Sequence, residues 1–231
     1  SNLVYFAKED TFTNAAAVVR NTSASPIVAA ENVTKPEASL TFTSDQEAVV
    51  TIAHFIPVSK QALDDSAFLA SYVNSRLMYG LKLTEDDQLL NGTGLTGYVT
   101  GLNTGATAFV NSASPNYTSQ LDIIRDAKRQ AQVSNYEPDC VILNPKDWSD
   151  IELLKETTSG YIFSHPQGVI TPTLWGMRVV VSNTQSSGTW TVHSSSSAQI
   201  WDREDAAVEI SYEDSTNFQK NMATILAELR G

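Results

Sequence analysis

Residues 8–47 are a stretch that a compact core cannot use. Their large apolar side chains are few (Phe12, Val18, Val19, Ile27, Val28, Val33, Leu40, Phe42), they follow no helical period, and Ser, Thr, Asn and Ala dominate. The flanking segments Leu3–Phe6 and Ala48–Phe55 read as strands, and Leu40-Thr41-Phe42-Thr43 alternates with the period of a half-covered strand. The simplest shape is a long two-stranded arm with its tip somewhere in 20–36. A structureless loop of this length inside a compact domain is uncommon. Half of the arm, roughly 15–17 extended residues at about 3.3 Å each, reaches about 50 Å, against a radius of gyration of about 16 Å for the remaining body. An arm of that reach cannot bury its tip on its own core. Its side chains find partners on a neighbouring subunit or stay mobile.

The rest of the chain has the means to build a core. Of 231 residues, 42% are hydrophobic, enough for one large or two small domains. Asp64-Asp65-Ser66 reads as a helix start, and Phe68, Leu69, Tyr72, Val73, Arg76, Leu77, Gly80 and Leu81 follow at three- and four-residue spacing. The pattern runs to Leu89-Leu90, where Asn91-Gly92 stops it. After a Gly-, Thr- and Ser-rich stretch, Thr118-Ser119 caps a second helix. Cys140–Leu143 is a short buried strand closed by Asn144-Pro145, and Trp148, Ile151 and Leu154 suit a third helix. Val179–Val181, Thr189–Val192, Ala198–Trp201 and Ala207–Ser211 read as strands, while Met222–Arg230 fits a strand or a helix equally. Helix–strand alternation over 118–182 indicates an α/β or α+β module.

Several functional classes drop out. Lys plus Arg number 15 and Asp plus Glu 26, a net charge of −11 that argues against a protein built to grip phosphate backbones. One cysteine, Cys140, beside apolar neighbours, excludes a disulfide scaffold and reads as a buried structural thiol rather than a nucleophile. His54, His165 and His193 are far apart, so a histidine metal site is not expected; His54, in a strand pattern, reads as a hydrogen-bonded structural residue. No apolar run approaches the roughly 18–20 residues that span a bilayer. Gly92-Thr93-Gly94-Leu95-Thr96-Gly97 matches G-x-G-x-x-G, but a helix precedes it where dinucleotide binding needs a strand, so it reads as a loop. Asp86-Asp87 and Glu204-Asp205 read as solvated or capping acids. The N-x-S/T sequons at Asn21, Asn32, Asn91 and Asn116 are expected by chance in so Asn- and Ser-rich a chain. Ser1 in place of Met, and a patterned segment running almost to Gly231, read as trimmed ends, and no signal peptide is visible. Lys35-Pro36 lies in the arm. Proline biases Lys35 toward an extended conformation, and on composition alone it is a solvated lysine.

A set of ordered stretches makes the chain resemble the major capsid proteins of tailed bacteriophages of the Hong Kong 97-like type. They are Thr51-Ile52-Ala53-His54, Asn74-Ser75-Arg76-Leu77-Met78-Tyr79-Gly80-Leu81, Gln88-Leu89-Leu90-Asn91-Gly92, Leu143-Asn144-Pro145-Lys146-Asp147-Trp148, Tyr161-Ile162-Phe163, Leu174-Trp175-Gly176, Trp201-Asp202-Arg203 and Asn217-Phe218-Gln219-Lys220-Asn221-Met222. They span about Leu3 to Arg230. The resemblance implies an α+β fold: an E-loop arm with its flanking strands at 3–50, a peripheral domain with a long spine helix at 51–91, an axial domain at 92–200 and a return to the peripheral domain at 201–231.

The resemblance also implies chemistry. In the family's namesake, subunits are joined by Lys–Asn isopeptide bonds assisted by a glutamate; the matching positions are Lys35, Asn221 and Glu228. The residue types suit the reaction. A lysine amine attacks only when neutral, an asparagine amide is a weak electrophile, and a carboxylate in a water-poor site can pass the proton from amine to leaving ammonia. The arm tip around Ser23–Val28 carries extra residues relative to the family pattern. Asn221 and Glu228, seven apart, would share a face on a helix and take opposite faces on a strand.

The implied protein is a shell subunit of a tailed phage or prophage, forming hexamers and pentamers of an icosahedral capsid with copies of itself. It is not an enzyme beyond one self-modification, and no cofactor, metal, membrane or sequence-specific nucleic acid is expected. A scaffold segment, protease and portal are the family's other partners, the virion capsid its location and the bacterial host cytoplasm its place of assembly. The alternatives are a nanocompartment shell of the same fold, a surface adhesin or pilin with an internal Lys–Asn bond, and a nucleotide-dependent enzyme built on 92–97.

Overall fold

The computed structural model describes residues 3–16, 20–21, 28–29, 34–65, 67–95, 97–112, 117–155 and 172–231. Most of the expected arm tip, Ser66, the sequons at Asn32 and Asn116, the Tyr161–Phe163 stretch and the loop at His165 lie outside them. The chain divides into two units, Ser1–Val49 and Val50–Gly231.

The first unit is a ribbon. Strands β1 (Leu3–Thr13) and β4 (Ser39–Ala48) pair antiparallel from Leu3↔Ala48 to Thr13↔Ser39, with an irregularity between Glu9 and Thr11. Two-residue strands β2 (Arg20–Asn21) and β3 (Val28–Ala29) pair with each other. The expected two-stranded pairing is present, with a longer ladder than its flanks suggested. Directly opposed residues share a face. Tyr5, Glu9, Phe12, Leu40, Phe42 and Gln46 lie on one side, and Lys8, Thr11, Thr41, Thr43 and Asp45 on the other. On the second side Thr11 and Thr41 share a 2.6 Å hydroxyl hydrogen bond, and Lys8 faces Asp45 at 4.0 Å.

The second unit has two cores. In the first, strand β5 (Thr51–Ser59) leads through the short helix α1 (Lys60–Asp65) to helix α2 (Ala67–Asn91). Asp64 and Asp65 thus close α1 rather than cap α2, but α2 ends where Asn91-Gly92 predicts. Strands β10 (Glu204–Ser211) and β11 (Met222–Arg230) complete an antiparallel sheet in the order β10-β11-β5. The ambiguity at 222–230 resolves as a strand, because β11 pairs on both sides and alternates buried with half-buried residues. Ala223, Ile225, Ala227 and Leu229 point inward, and Ile225, Ala227 and Leu229 pack with Val73, Leu77 and Leu81, which recur every fourth residue on α2. Each buried leucine there contributes about 1.5–3 kcal/mol. His54 of β5 donates from Nε2 to the Leu77 carbonyl of α2 at 3.0 Å, the structural part expected of it.

The second core surrounds a small mixed sheet. Helix α3 (Leu102–Gly105) follows the Gly-rich loop, and helix α4 (Gln120–Val133) begins after Ser119, which makes no side-chain cap. Strand β6 (Cys140–Leu143) is buried along its whole length, Cys140 included. Helix α5 (Pro145–Glu152) is capped by Asn144, whose side chain accepts from the Lys146 amide at 2.9 Å. Strands β7 (Thr173–Leu174), β8 (Met177–Val181) and β9 (Thr191–His193) give the order β7-β8-β6-β9, with β6 and β8 parallel. Ile124, Val141, Leu143, Ile151, Leu174, Met177 and Val179 fill this core.

Ala198–Trp201, expected as a strand, is not one. Ser197 turns back on the Ser194 carbonyl through both its amide and hydroxyl, and Asp139 accepts from the Ser195 amide and hydroxyl. Such local side-chain bonds compete with a ladder.

Candidate functional site

Each of the three residues implied by the resemblance is described. Lys35 lies in the ribbon unit, in irregular backbone over 34–38, and is exposed. Asn221 and Glu228 lie in the other unit. Asn221 ends helix α6 (Asn217–Lys220) with φ 55° and ψ 43°, in the left-handed region. Asparagine is one of the few non-glycine residues that take this conformation readily. Its amide donates to the Asn217 carbonyl, and its carbonyl accepts from the Lys60 amide at 2.9 Å. The carboxamide itself is exposed. Phe218, in the same turn, is 84% exposed.

Glu228 sits on the outward face of β11, between Ala53 of β5 and Ala207 of β10. Leu226, its neighbour on that face, is flanked by Phe55, which is 64% exposed. The face that carries Glu228 is mixed: Ala53, Ala207, Leu226 and Phe55 lie beside Glu228, and Glu209, Thr224 and Arg230 share the same side of the sheet. Because 222–230 is a strand, Asn221 and Glu228 of one chain are roughly 20 Å apart, against about 10 Å had the segment been helical. No lysine and glutamate side chain can bridge such a gap. The structure does not bring this Asn–Glu pair together within one chain.

Asp214, Asn217 and Thr224 were not picked out by sequence reasoning. The Asn217 amide donates to the Asp214 carbonyl at 2.9 Å, its Nδ2 donates to Thr224 Oγ1 at 2.7 Å, and that hydroxyl donates to Asp214 Oδ2 at 2.9 Å. The turn-forming run Asp214-Ser215-Thr216-Asn217 was the signal available.

The G-x-G-x-x-G stretch forms a loop closed by the Thr93↔Thr100 bridge, with Gly94 and Gly97 at positive φ and Gly101 donating to the Gly92 carbonyl at 2.9 Å. Of its glycines, Gly92 stands where two backbone segments cross. Among the described residues, no group of three or more His, Cys, Asp and Glu could hold a metal ion, and no helix is long and apolar enough to cross a membrane.

A long helix laid across an antiparallel sheet, a separate mixed sheet and a two-stranded ribbon together make the mixed fold of Hong Kong 97-like phage capsid proteins. The match to solved structures bears this out. A chain from Mycobacterium phage Adephagia superposes with a TM-score of 0.70 at 13% identity, covering 100% of this chain and 78% of that one. One from Microbacterium phage Oxtober96 gives 0.69 at 17%, covering 100% and 79%. The capsid of an empty GTA particle in C5 symmetry gives 0.67 at 15%, covering 100% and 79%. Residues 3–230 match the phage capsid family, and the chain belongs to that family, one of structural proteins rather than enzymes. It is 44% identical over its 231 residues to the major capsid protein of Enterobacteria phage HK97, and spans 57% of that protein's length.

Proposed function

We propose that this protein is the shell subunit of a tailed-phage capsid, assembling with copies of itself into hexamers and pentamers of a closed icosahedral particle. Beyond family membership, the observation that carries this reading is the ribbon. Tyr5, Phe12, Leu40 and Phe42 share one face of it and are 64%, 60%, 48% and 62% exposed. Aromatic side chains lined up on one side of a bare two-stranded ribbon need cover, since such a ribbon is barely stable alone. In this reading residues 3–50 are the arm that lies on an adjacent copy, 51–91 and 201–231 the peripheral domain, and 92–200 the axial domain. A scaffold segment, a maturation protease and a portal are its partners, and assembly takes place in the bacterial cytoplasm before the protein becomes part of the virion.

The proposed reading includes the covalent joint. The Lys35 amine, neutral after giving a proton to Glu228, attacks Cγ of Asn221 on another copy. A C–N amide bond forms as the bond to the carboxamide nitrogen breaks; that nitrogen takes the proton Glu228 returns and the second proton shed by the attacking amine, and leaves as ammonium. The exposed Phe218 beside Asn221 and the exposed Phe55 diagonal to Glu228 support this, because covering these rings makes the water-poor setting in which a carboxylate can act both ways. The test is electron microscopy of particles from the complete gene product, with denaturing gels of the same particles. Closed shells and a ladder of covalent oligomers, lost in Lys35→Arg and in Asn221→Asp, are expected. Monomers under all conditions overturn the shell; shells without a ladder overturn the joint alone.

A further inference from the structure

The backbone on which Asn221 stands is clamped from both sides by groups that belong to no core. We infer that Asp214, Asn217 and Thr224 are positioning residues for the Asn221 carboxamide; the inference rests on the cross-linking reading above. Thr224 projects from the outward face of β11, and its single hydroxyl is used twice, accepting from Asn217 Nδ2 and donating to Asp214 Oδ2. Asn217 is tied to Asp214 a second time through its own amide, and its carbonyl then takes the Asn221 amide. The segment from 214 to 221 is closed onto the strand by this relay.

The other side of Asn221 is held independently. Its carbonyl accepts from the amide of Lys60, first residue of α1, a group that has no partner inside its own helix. The Nζ of Lys60 lies 5.6 Å from the centre of the Tyr212 ring, at the start of the same connection. A left-handed residue gripped at both its N–H and its C=O has its Cα–Cβ direction set, and only the side-chain torsions of the carboxamide remain free.

That direction matters to amide transfer and to little else. The attacking nitrogen must come within about 3–3.5 Å of Cγ, along a line fixed by the carbonyl plane, and a displacement of about 1 Å can cost a hundredfold. None of these relay hydrogen bonds runs to the carboxamide, so its members act through backbone placement and not as acids or bases. The arrangement has little to give the subunit's stability, because Asp214 is exposed and neither Asn217 nor Thr224 belongs to either core.

The experiment measures, in shells already assembled from the complete gene product, the single-turnover rate of covalent oligomer formation on denaturing gels, beside the thermal midpoint of the same particles. Thr224→Val keeps the β-branch and removes the hydroxyl; Thr224→Ser keeps the hydroxyl. The valine variant should cross-link about tenfold more slowly or worse, with assembly yield and midpoint unchanged, and the serine variant should restore the rate. Should Thr224→Val fail to assemble, Asp214→Ala removes the acceptor from an exposed loop, and a similarly slowed rate is expected. Cross-linking at the wild-type rate in Thr224→Val, or in Asp214→Ala where that variant stands in, overturns the positioning role. A wild-type shell that never cross-links overturns the reading beneath it instead.

Discussion

His54 and Gly80 share one space between sheet and helix: a Cβ built on Gly80 would stand 3.0 Å from His54 Cε1. The imidazole cannot withdraw without losing its Nε2 hydrogen bond to the Leu77 carbonyl, one turn away on the same helix. A glycine in the middle of a 25-residue helix costs about 1 kcal/mol against alanine, and here that cost makes room for the ring. Gly80→Ala should therefore stabilise the chain by about 0.5–1 kcal/mol only when His54 is already alanine, and be neutral or destabilising with His54 present. Urea unfolding of the two single variants and the double variant measures the coupling. Equal effects of Gly80→Ala in both backgrounds would show that the ring and the glycine are independent.

Gly92 and Gly101 form a tighter pair. A Cβ on Gly92 would collide with the carbonyl oxygens of Val99 and Gln88, and one on Gly101 with the Gly92 amide and the end of α2. All of these are backbone atoms, which cannot swing aside. Either alanine variant is expected to lose stability at or beyond the upper end of the roughly 1–3 kcal/mol typical of overpacking, seen as a lower urea midpoint or as insoluble protein. Gly105→Ala, where the added carbon meets nothing within 4 Å, is the matched control and should be tolerated.

These contacts show what was legible in the sequence. The helix ending at Asn91 could be read because Val73, Leu77 and Leu81 repeat on one face and two breakers follow. The ribbon could be read because Leu40 and Phe42 alternate with threonines. Its irregularity at Asp10 could not, since nothing local marks an extra residue in a strand. Met222–Arg230 was undecidable because the apolar Met222 and Leu226 on the outward face blur the alternation with Ala223, Ile225, Ala227 and Leu229 on the inward one; pairing with distant residues 51–59 and 204–211 decides it. The same long-range pairing sets the distance between Asn221 and Glu228, so their geometry was closed to local reasoning even though both positions were named by resemblance. The relay through Thr224 joins a turn to a strand ten residues on from Asp214, and no periodicity announces it.

Asp147 carries the clearest pH dependence. Its carboxylate is 3% exposed, and burial alone would push its pKa up. The Gly188 amide at 2.7 Å, the Ser187 hydroxyl at 2.8 Å and the Trp190 indole at 3.1 Å, with the charge of Lys146, outweigh burial and hold it below the ordinary value. A depressed carboxylate adds stability that is complete above the unfolded-state value of about 3.9 and is lost as pH falls through the folded-state value. Asp147→Asn replaces one of the two accepting oxygens with an amino group that faces donors, and at neutral pH should cost about 1.5–3 kcal/mol. The gap between variant and wild-type unfolding midpoints should narrow as the pH is taken below about 4. A gap that stays constant down to acid unfolding would mean that Asp147 is not charged in the folded chain.

The separation of Asn221 and Glu228 along β11 gives the joint a stoichiometry that can be tested by mixing. Neither residue can serve the other within one chain, so the proposed cross-link requires its asparagine and its glutamate to come from different copies. Asn221→Asp and Glu228→Gln subunits should each assemble into shells that cross-link little or not at all. Shells assembled from an equal mixture should recover covalent oligomers, because a mutant copy at one position still offers its intact residue at the other. With random incorporation about a quarter of the sites would hold both an intact asparagine and an intact glutamate, since each is drawn independently from half of the copies across a repeated interface. If both residues had to come from one chain, no subunit in the mixture would carry the pair, and the mixed shells would be as silent as either parent. Gel densitometry of mixed and unmixed particles, with electron microscopy confirming that both forms enter the same shells, separates the two outcomes.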